Sequence, residues 1–134
     1  MNWFHEVKLE VRAYELDQFD SVNNAVYANF CQYGQFDLCD KIGMEIDNVA
    51  IKELSLKYIA PLRRRDKFVL KVRICELYGA RMCFEILIFK LPNLEPILEA
   101  KSTVVWLDKN HRPTRIPPEM ASKFKQYLVN GYAD

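Results

Sequence analysis

From Asn23 to Ile42 the chain carries apolar side chains at helical spacing around most of a helix's girth. Val26, Phe30 and Tyr33, with Tyr27, Cys31, Gly34 and Leu38, recur every three or four residues, and the polar Asp37 falls on the same spacing. A helix that is apolar almost all round has to be buried, so the rest of this chain must wrap it. Gly43 is well placed to stop it. Residues 4–15 precede it with Phe4, Val7, Leu9, Val11 and Ala13 interleaved with His5, Lys8, Glu10 and Arg12, the alternation of a half-buried strand. Four further strands are expected at Glu53–Ala60, Lys67–Leu77, Arg81–Lys90 and Pro96–Leu107. Turn residues mark the junctions: Pro61 with Arg63-Arg64-Arg65-Asp66, then Tyr78-Gly79-Ala80, then Pro92-Asn93. A polar turn, Asp108 to Arg112, ends the last strand. Pro117-Pro118-Glu119 then opens a short terminal helix to about Val129, with proline at first-turn positions that need no N–H. The order strand, long helix, four strands predicts an α+β fold with an antiparallel sheet. No repeat or linker divides it, so residues 1–134 are expected to form one domain.

Composition narrows the function classes. Half the residues are hydrophobic, enough for a real core, and the formal net charge of +1 gives no global attraction to nucleic acid or membrane. No apolar run approaches the roughly 18–20 residues that span a bilayer, and Trp3 to Lys8 alternates like a strand rather than a signal segment. Cys31, Cys39, Cys75 and Cys83 form no C-x-x-C pair, and with only two histidines a metal site has no pattern to rest on. Reduced, mostly buried thiols in a reducing compartment are expected.

The chemistry points to Leu16-Asp17-Gln18-Phe19-Asp20-Ser21-Val22-Asn23-Asn24-Ala25-Val26-Tyr27. Asp17 falls between the first strand and the start of the long helix. Helix N-termini carry unpaired N–H groups and the positive end of the helix dipole. A carboxylate facing such a terminus combines a nucleophile or proton acceptor with donors for an oxyanion, the minimum for acyl transfer. The plainer alternative is an acidic turn that merely caps the helix, and Asn23 and Asn24 are themselves good capping residues. Arg63-Arg64-Arg65 with Lys67 is the densest basic cluster, either a solvated turn or a landing patch for anions. His5, assigned to an exposed strand face, and His111, in a polar turn, lack the partner spacing of a catalytic triad.

Asp17 followed by Val22-Asn23-Asn24-Ala25-Val26-Tyr27 resembles the D-x-x-G-H-V-N-N-x-x-Y signature of 4-hydroxybenzoyl-CoA-type hotdog thioesterases. The runs Val11 to Phe19 and Tyr27 to Gly34 are similar to the plant plastid branch that hydrolyses fatty acyl-ACP, the methylketone-synthase-type enzymes included. Tyr58-Ile59-Ala60-Pro61-Leu62-Arg63, Phe89-Lys90-Leu91-Pro92-Asn93, Val105-Trp106-Leu107-Asp108 and Arg112-Pro113 extend the likeness over nearly the whole chain. The resemblance implies a hotdog fold, an antiparallel sheet wrapped around one long central helix. A cystatin-like protein would show a similar order of elements. It implies Asp17 as nucleophile or general base, the Asn24 backbone N–H as oxyanion donor, and Asn23 and Asn24 side chains as positioning groups. Tyr27 and Phe30 would line the acyl tunnel, while Arg63, Arg64 and Arg65 would meet coenzyme A phosphates or an acidic carrier protein. No metal or organic cofactor is implied. Edge-to-edge homodimers, or tetramers built from them, are expected. Substrates would be medium- to long-chain acyl or 3-oxoacyl thioesters on acyl carrier protein. Acyl-CoA, 1,4-dihydroxy-2-naphthoyl-CoA included, is the enzymatic alternative, and a catalytically impaired acyl-binding dimer the non-enzymatic one. The implied location is the plastid stroma, with a transit peptide that this chain lacks, or alternatively the cytoplasm.

Three departures accompany the resemblance. Asp20 and Ser21 stand where the signature has Gly and His, and hotdog dehydratases depend on a His that this loop lacks. A carboxylate at position 20 would perturb Asp17, and a turn needing positive φ there would be strained without Gly. The connection Asp47-Asn48-Val49-Ala50-Ile51-Lys52 is also short for the family, with consequences expected for the tunnel mouth.

Overall fold

A computed structural model describes residues 3–43 and 49–128. Strand β1 (His5–Glu10) is followed by a 3-10 turn (Ala13–Glu15) and helix α1 (Asn24–Ile42). Strands β2 (Val49–Tyr58), β3 (Lys67–Tyr78), β4 (Arg81–Lys90) and β5 (Glu95–Trp106) come next, then helix α2 (Pro118–Lys125). The five strands form one antiparallel sheet in the order β1-β3-β4-β5-β2. The two strands that flank α1 in sequence are thus the two edges of the sheet, and α1 crosses its face between them. Register shifts at Ile51/Glu53, Ile74/Glu76 and Ile88/Phe89 bend the strands. The α+β class is the one that the order of elements predicts, and the arrangement is the hotdog fold that the resemblance implies.

Alternate residues of the central strands supply the wall that α1 covers. Leu70, Val72 and Ile74 of β3, Phe84, Ile86 and Ile88 of β4, and Leu98 and Ala100 of β5 are all buried. Each large side chain so buried contributes roughly 1.5–3 kcal/mol. The helix meets them with Tyr27, Phe30, Cys31, Gly34, Leu38, Cys39 and Ile42. Contact is closest at Gly34, where a Cβ would lie 2.9 Å from Val72 Cγ2 and 3.3 Å from Leu70 Cδ1. Gly43, at φ 88°, ends the helix in the left-handed conformation expected of such a stop.

Several expected details are corrected. The helix is not buried around most of its girth: Ala25, Asn29, Gln32 and Tyr33 are exposed, and only one stripe meets the sheet. The first strand stops at Glu10 rather than running to residue 15. There the Val11 N–H turns to the Asp66 carbonyl and the Arg12 N–H to the Glu15 carboxylate at 2.7 Å. Strand β2 begins at Val49, which pairs with Trp106, so Val49–Lys52 belong to the sheet rather than to a connection. Asp47 and Asn48 lie outside the described residues. The terminal helix ends at Lys125, Leu128 forms an isolated bridge with Ile74, and the expected end at Val129 also lies outside them. His5 sits not on an exposed face but on the inner one, half-buried with Val7, its Nε2 2.7 Å from Asp37 Oδ2 on α1.

All four cysteines are free; Cys31 and Cys39 are buried, Cys75 and Cys83 half-buried. Burial pushes the Cys31 and Cys39 thiols up to about 12, which makes them core residues rather than nucleophiles. Among the described residues, no helix is long and apolar enough to cross a membrane.

Candidate active site

Asp17 opens a tight loop that closes on itself before α1. Its N–H donates to the Ser21 carbonyl at 2.7 Å, and its carbonyl accepts from the Asp20 N–H at 3.1 Å. Oδ1 accepts from the N–H groups of Phe19 at 2.8 Å and Ser21 at 3.2 Å, fixing the carboxylate's direction. Oδ2 has no protein partner among the described residues. The loop is tied down on both sides, by a Leu16–Val22 bridge, by the Asn23 N–H on the Glu15 carbonyl, and by the Val22 N–H on the Leu62 carbonyl.

Asn23 is the N-cap of α1: its side-chain oxygen accepts from the Ala25 N–H at 3.0 Å, as the capping reading of the sequence anticipates. The next N–H, that of Asn24, meets no acceptor among the described residues, while the Asn24 carbonyl accepts from the Tyr58 hydroxyl at 3.1 Å. Tyr27 is buried and its hydroxyl accepts from the Leu62 N–H at 2.9 Å. Burial raises the Tyr27 pKa, so the phenol stays neutral. Its ring stands edge-on to Tyr58 at 5.5 Å. Asp17, Ser21, Asn24, Tyr27, Tyr58 and Pro61 together border a cleft of about 270 Å³.

Of the residues singled out in the sequence, Asp17, Asn24 and Tyr27 meet in this cleft, and Asn23 stands at its rim as a cap. Phe30 does not border it. It packs on Phe68 at 4.9 Å and faces a separate cavity of about 300 Å³ beside Leu9, Glu15 and Tyr33. The arginines divide as well. Arg64 grips Asp20, Nη2 to Oδ1 at 2.8 Å, and Arg63 reaches the Ser21 hydroxyl at 3.2 Å. Arg65 is exposed. Asp20 does adopt positive φ, 64°, at the position where the signature has Gly. Aspartate tolerates that conformation better than most residues, and Arg64 takes up its carboxylate. Tyr58 escaped the sequence reading as a site residue, because its contact to Asn24 spans 34 positions. The only signal was its place at the end of a strand just before Pro61. Among the described residues, no three His, Cys, Asp or Glu side chains converge as metal ligands would.

Comparison with known proteins supplies the family. Residues 11–124 match the family described as the thioesterase-like superfamily. Two curated relatives from Arabidopsis thaliana are the chloroplastic acyl-acyl carrier protein thioesterases ATL3 and ATL2. The first is 54% identical over 96% of this chain and 71% of its own length. The second is 53% identical over 98% and 73% respectively. A thioesterase of Thermus thermophilus complexed with coenzyme A and Zn superposes with a TM-score of 0.82 over 90% of this chain and 91% of its own, at 23% identity. The 1,4-dihydroxy-2-naphthoyl-CoA thioesterase Slr0204 of Synechocystis does so with 0.83 over 91% and 96%, at 11% identity. The latter two establish a shared fold. With its family matched over most of its length and two relatives more than half identical, this chain belongs to the thioesterase-like superfamily of hotdog enzymes, which hydrolyse thioesters.

Proposed function

We propose that this thioesterase releases fatty or 3-oxo fatty acids from acyl carrier protein in the plastid stroma, with Asp17 as its reacting carboxylate. One juxtaposition supports the chemistry. A carboxylate with one oxygen held and the other, among the described residues, unpartnered shares a cleft with the N–H at the start of α1 that meets no acceptor among them. The Asn24 N–H, backed by the helix dipole, would receive the thioester oxygen as negative charge builds on it. Asp17 Oδ2 would attack the carbonyl carbon, expelling thiolate and leaving an anhydride that water cleaves back to Asp17 and free acid. As general base, it would instead take a proton from the water that attacks, and the thiolate would leave with a proton. The names of the two Arabidopsis relatives support the carrier and the compartment.

Strand β2 is an exposed edge bearing Ile51 and ending at Tyr58, both part-exposed. A homodimer through this edge would cover those side chains and bring the partner beside the cleft, and a tetramer would pair two such dimers. Arg63, Arg64 and Arg65 lie beside the same loop and would serve carrier or phosphate recognition.

Thiol release from a panel of acyl-ACP and acyl-CoA thioesters, for wild type and Asp17→Asn, tests the proposal. The expected result is hydrolysis of acyl-ACP by the wild type and its collapse in the variant. A preference for acyl-CoA would move recognition to nucleotide phosphates. Binding without thiol release would make the protein an acyl binder, and equal activity in both proteins would remove Asp17 from the mechanism.

A further inference from the structure

The end of β1 and the β2–β3 turn enclose an open groove of about 540 Å³ whose walls include Lys8, Glu10, Arg12, Arg64 and Arg65. We propose that this groove docks the acidic face of the carrier protein through Lys8, Arg12 and Arg65, an inference that rests on the carrier specificity proposed above.

Among the described residues, some cations on and around the sheet are held by a carboxylate and others, Lys67, Arg81 and Lys101 among them, are not. Lys57, Lys71, Arg73 and Lys90 are paired with Glu99, Glu6, Glu85 and Asp66, and Arg64 is held by Asp20. Among the described residues, Lys8, Arg12 and Arg65 form no ion pair. Arg12 donates only to the neutral Tyr14 hydroxyl, at 2.8 Å. Glu10, the one carboxylate in the walls, stands opposite Lys67 across the β1–β3 pair. The groove's walls thus set Lys8, Arg12, Arg64 and Arg65 against one carboxylate, a local excess on a chain of net charge +1.

Spacing favours a protein face over a nucleotide. Lys8 and Arg12 point to one side of an extended segment about 13 Å apart at the usual strand rise. That exceeds the span of a diphosphate and matches carboxylates about nine residues, between two and three turns, apart along a helix. The groove is also joined to the chemistry. Arg64 in its wall binds Asp20, whose N–H donates to the Asp17 carbonyl, so a carrier seated here sits beside the loop that its acyl arm must reach.

The test is the ratio of kcat/KM for an acyl-ACP to that for the same acyl group on N-acetylcysteamine, with acyl-CoA alongside. It is measured in wild type, in the Lys8→Glu/Arg12→Glu double variant, and in a Lys8→Gln/Arg12→Gln control. The expected result is a fall in the ratio of about tenfold or more in the Glu variant, carried by KM, with a smaller fall in the Gln control. The wild-type decline of acyl-ACP activity with salt should flatten in both. A wild type that prefers acyl-ACP beside a double variant that keeps the ratio overturns the groove and leaves the carrier specificity intact. Equal losses with acyl-ACP and acyl-CoA assign the groove to phosphates instead. A wild type with no preference for acyl-ACP removes the carrier specificity and the groove together.

Discussion

The same loop is built twice in this molecule, once at Asp17 and once at Asp108. Asp108 Oδ1 accepts from the Asn110 N–H at 2.8 Å and the Arg112 N–H at 3.1 Å, as Asp17 Oδ1 does from Phe19 and Ser21. Each loop is closed by a bridge, Leu16–Val22 in one and Leu107–Pro113 in the other. Each has its fourth residue at positive φ, Asp20 at 64° and His111 at 62°. The N–H of Asn23 returns to the Glu15 carbonyl, and that of Thr114 to the Trp106 carbonyl. The two loops part ways at their C-terminal ends. Asn23 caps a 19-residue helix whose next N–H meets no acceptor among the described residues, whereas Thr114 is followed by chain without regular structure. An aspartate locked in such a loop is therefore a structural module. In the proposed mechanism it becomes a reactive carboxylate only where the chain beyond it supplies donors and a cleft.

Asparagine keeps the oxygen that accepts both loop N–H groups while removing the negative charge. Asp17→Asn should lower kcat by about 10²–10⁴-fold, and Asp108→Asn should leave it within about twofold, as read by thiol release. Comparable losses in both would break the comparison. Tyr58→Phe removes the hydroxyl that holds the Asn24 carbonyl. A several-fold drop in kcat with KM nearly constant is expected if the helix start aligns the oxyanion donor, and a change confined to KM would assign Tyr58 to substrate contact. Alanine sharpens the structural half. Asp17→Ala and Asp108→Ala each strip two N–H groups of their acceptor, so each should cost about 1 kcal/mol in urea denaturation; sharply unequal costs would show that the loops are not equivalent. The smallest effect is expected at the fourth positions. His111→Gly should raise stability by up to about 1 kcal/mol through relief of the left-handed backbone. Asp20→Gly should raise it by less, because it also releases Arg64.

Much of this was legible in the sequence, for reasons that can be named. Alternation in β3, β4 and β5, helical spacing from Asn23 to Ile42 and turn residues between them are local signals, and they give the order of elements directly. Misplaced boundaries trace to distant partners. Val49 is a strand residue because Trp106 pairs with it, and His5 turns inward because Asp37 receives it. Asp17 and its capping neighbours were visible as a contiguous motif. The holds of Tyr58 on Asn24, Leu62 on Tyr27 and Arg64 on Asp20 were not, since they join segments 34 to 44 positions apart. Asp20 carries both kinds of signal: its backbone lies where glycine is easiest, and its carboxylate meets an arginine that no local pattern announces.

The close approach at Gly34 bears on any attempt to redesign this enzyme. Because even a methyl group there would collide with Val72, the helix and sheet have no slack to trade at mid-span. Enlarging that one position would lever α1 outward as a rigid beam and lift Asn24 at its far end away from Asp17. Directed evolution of substrate range should accordingly find Gly34 immovable and spend its mutations on the helix's exposed side, at Gln32 or Tyr33, where volume can change without moving Asn24.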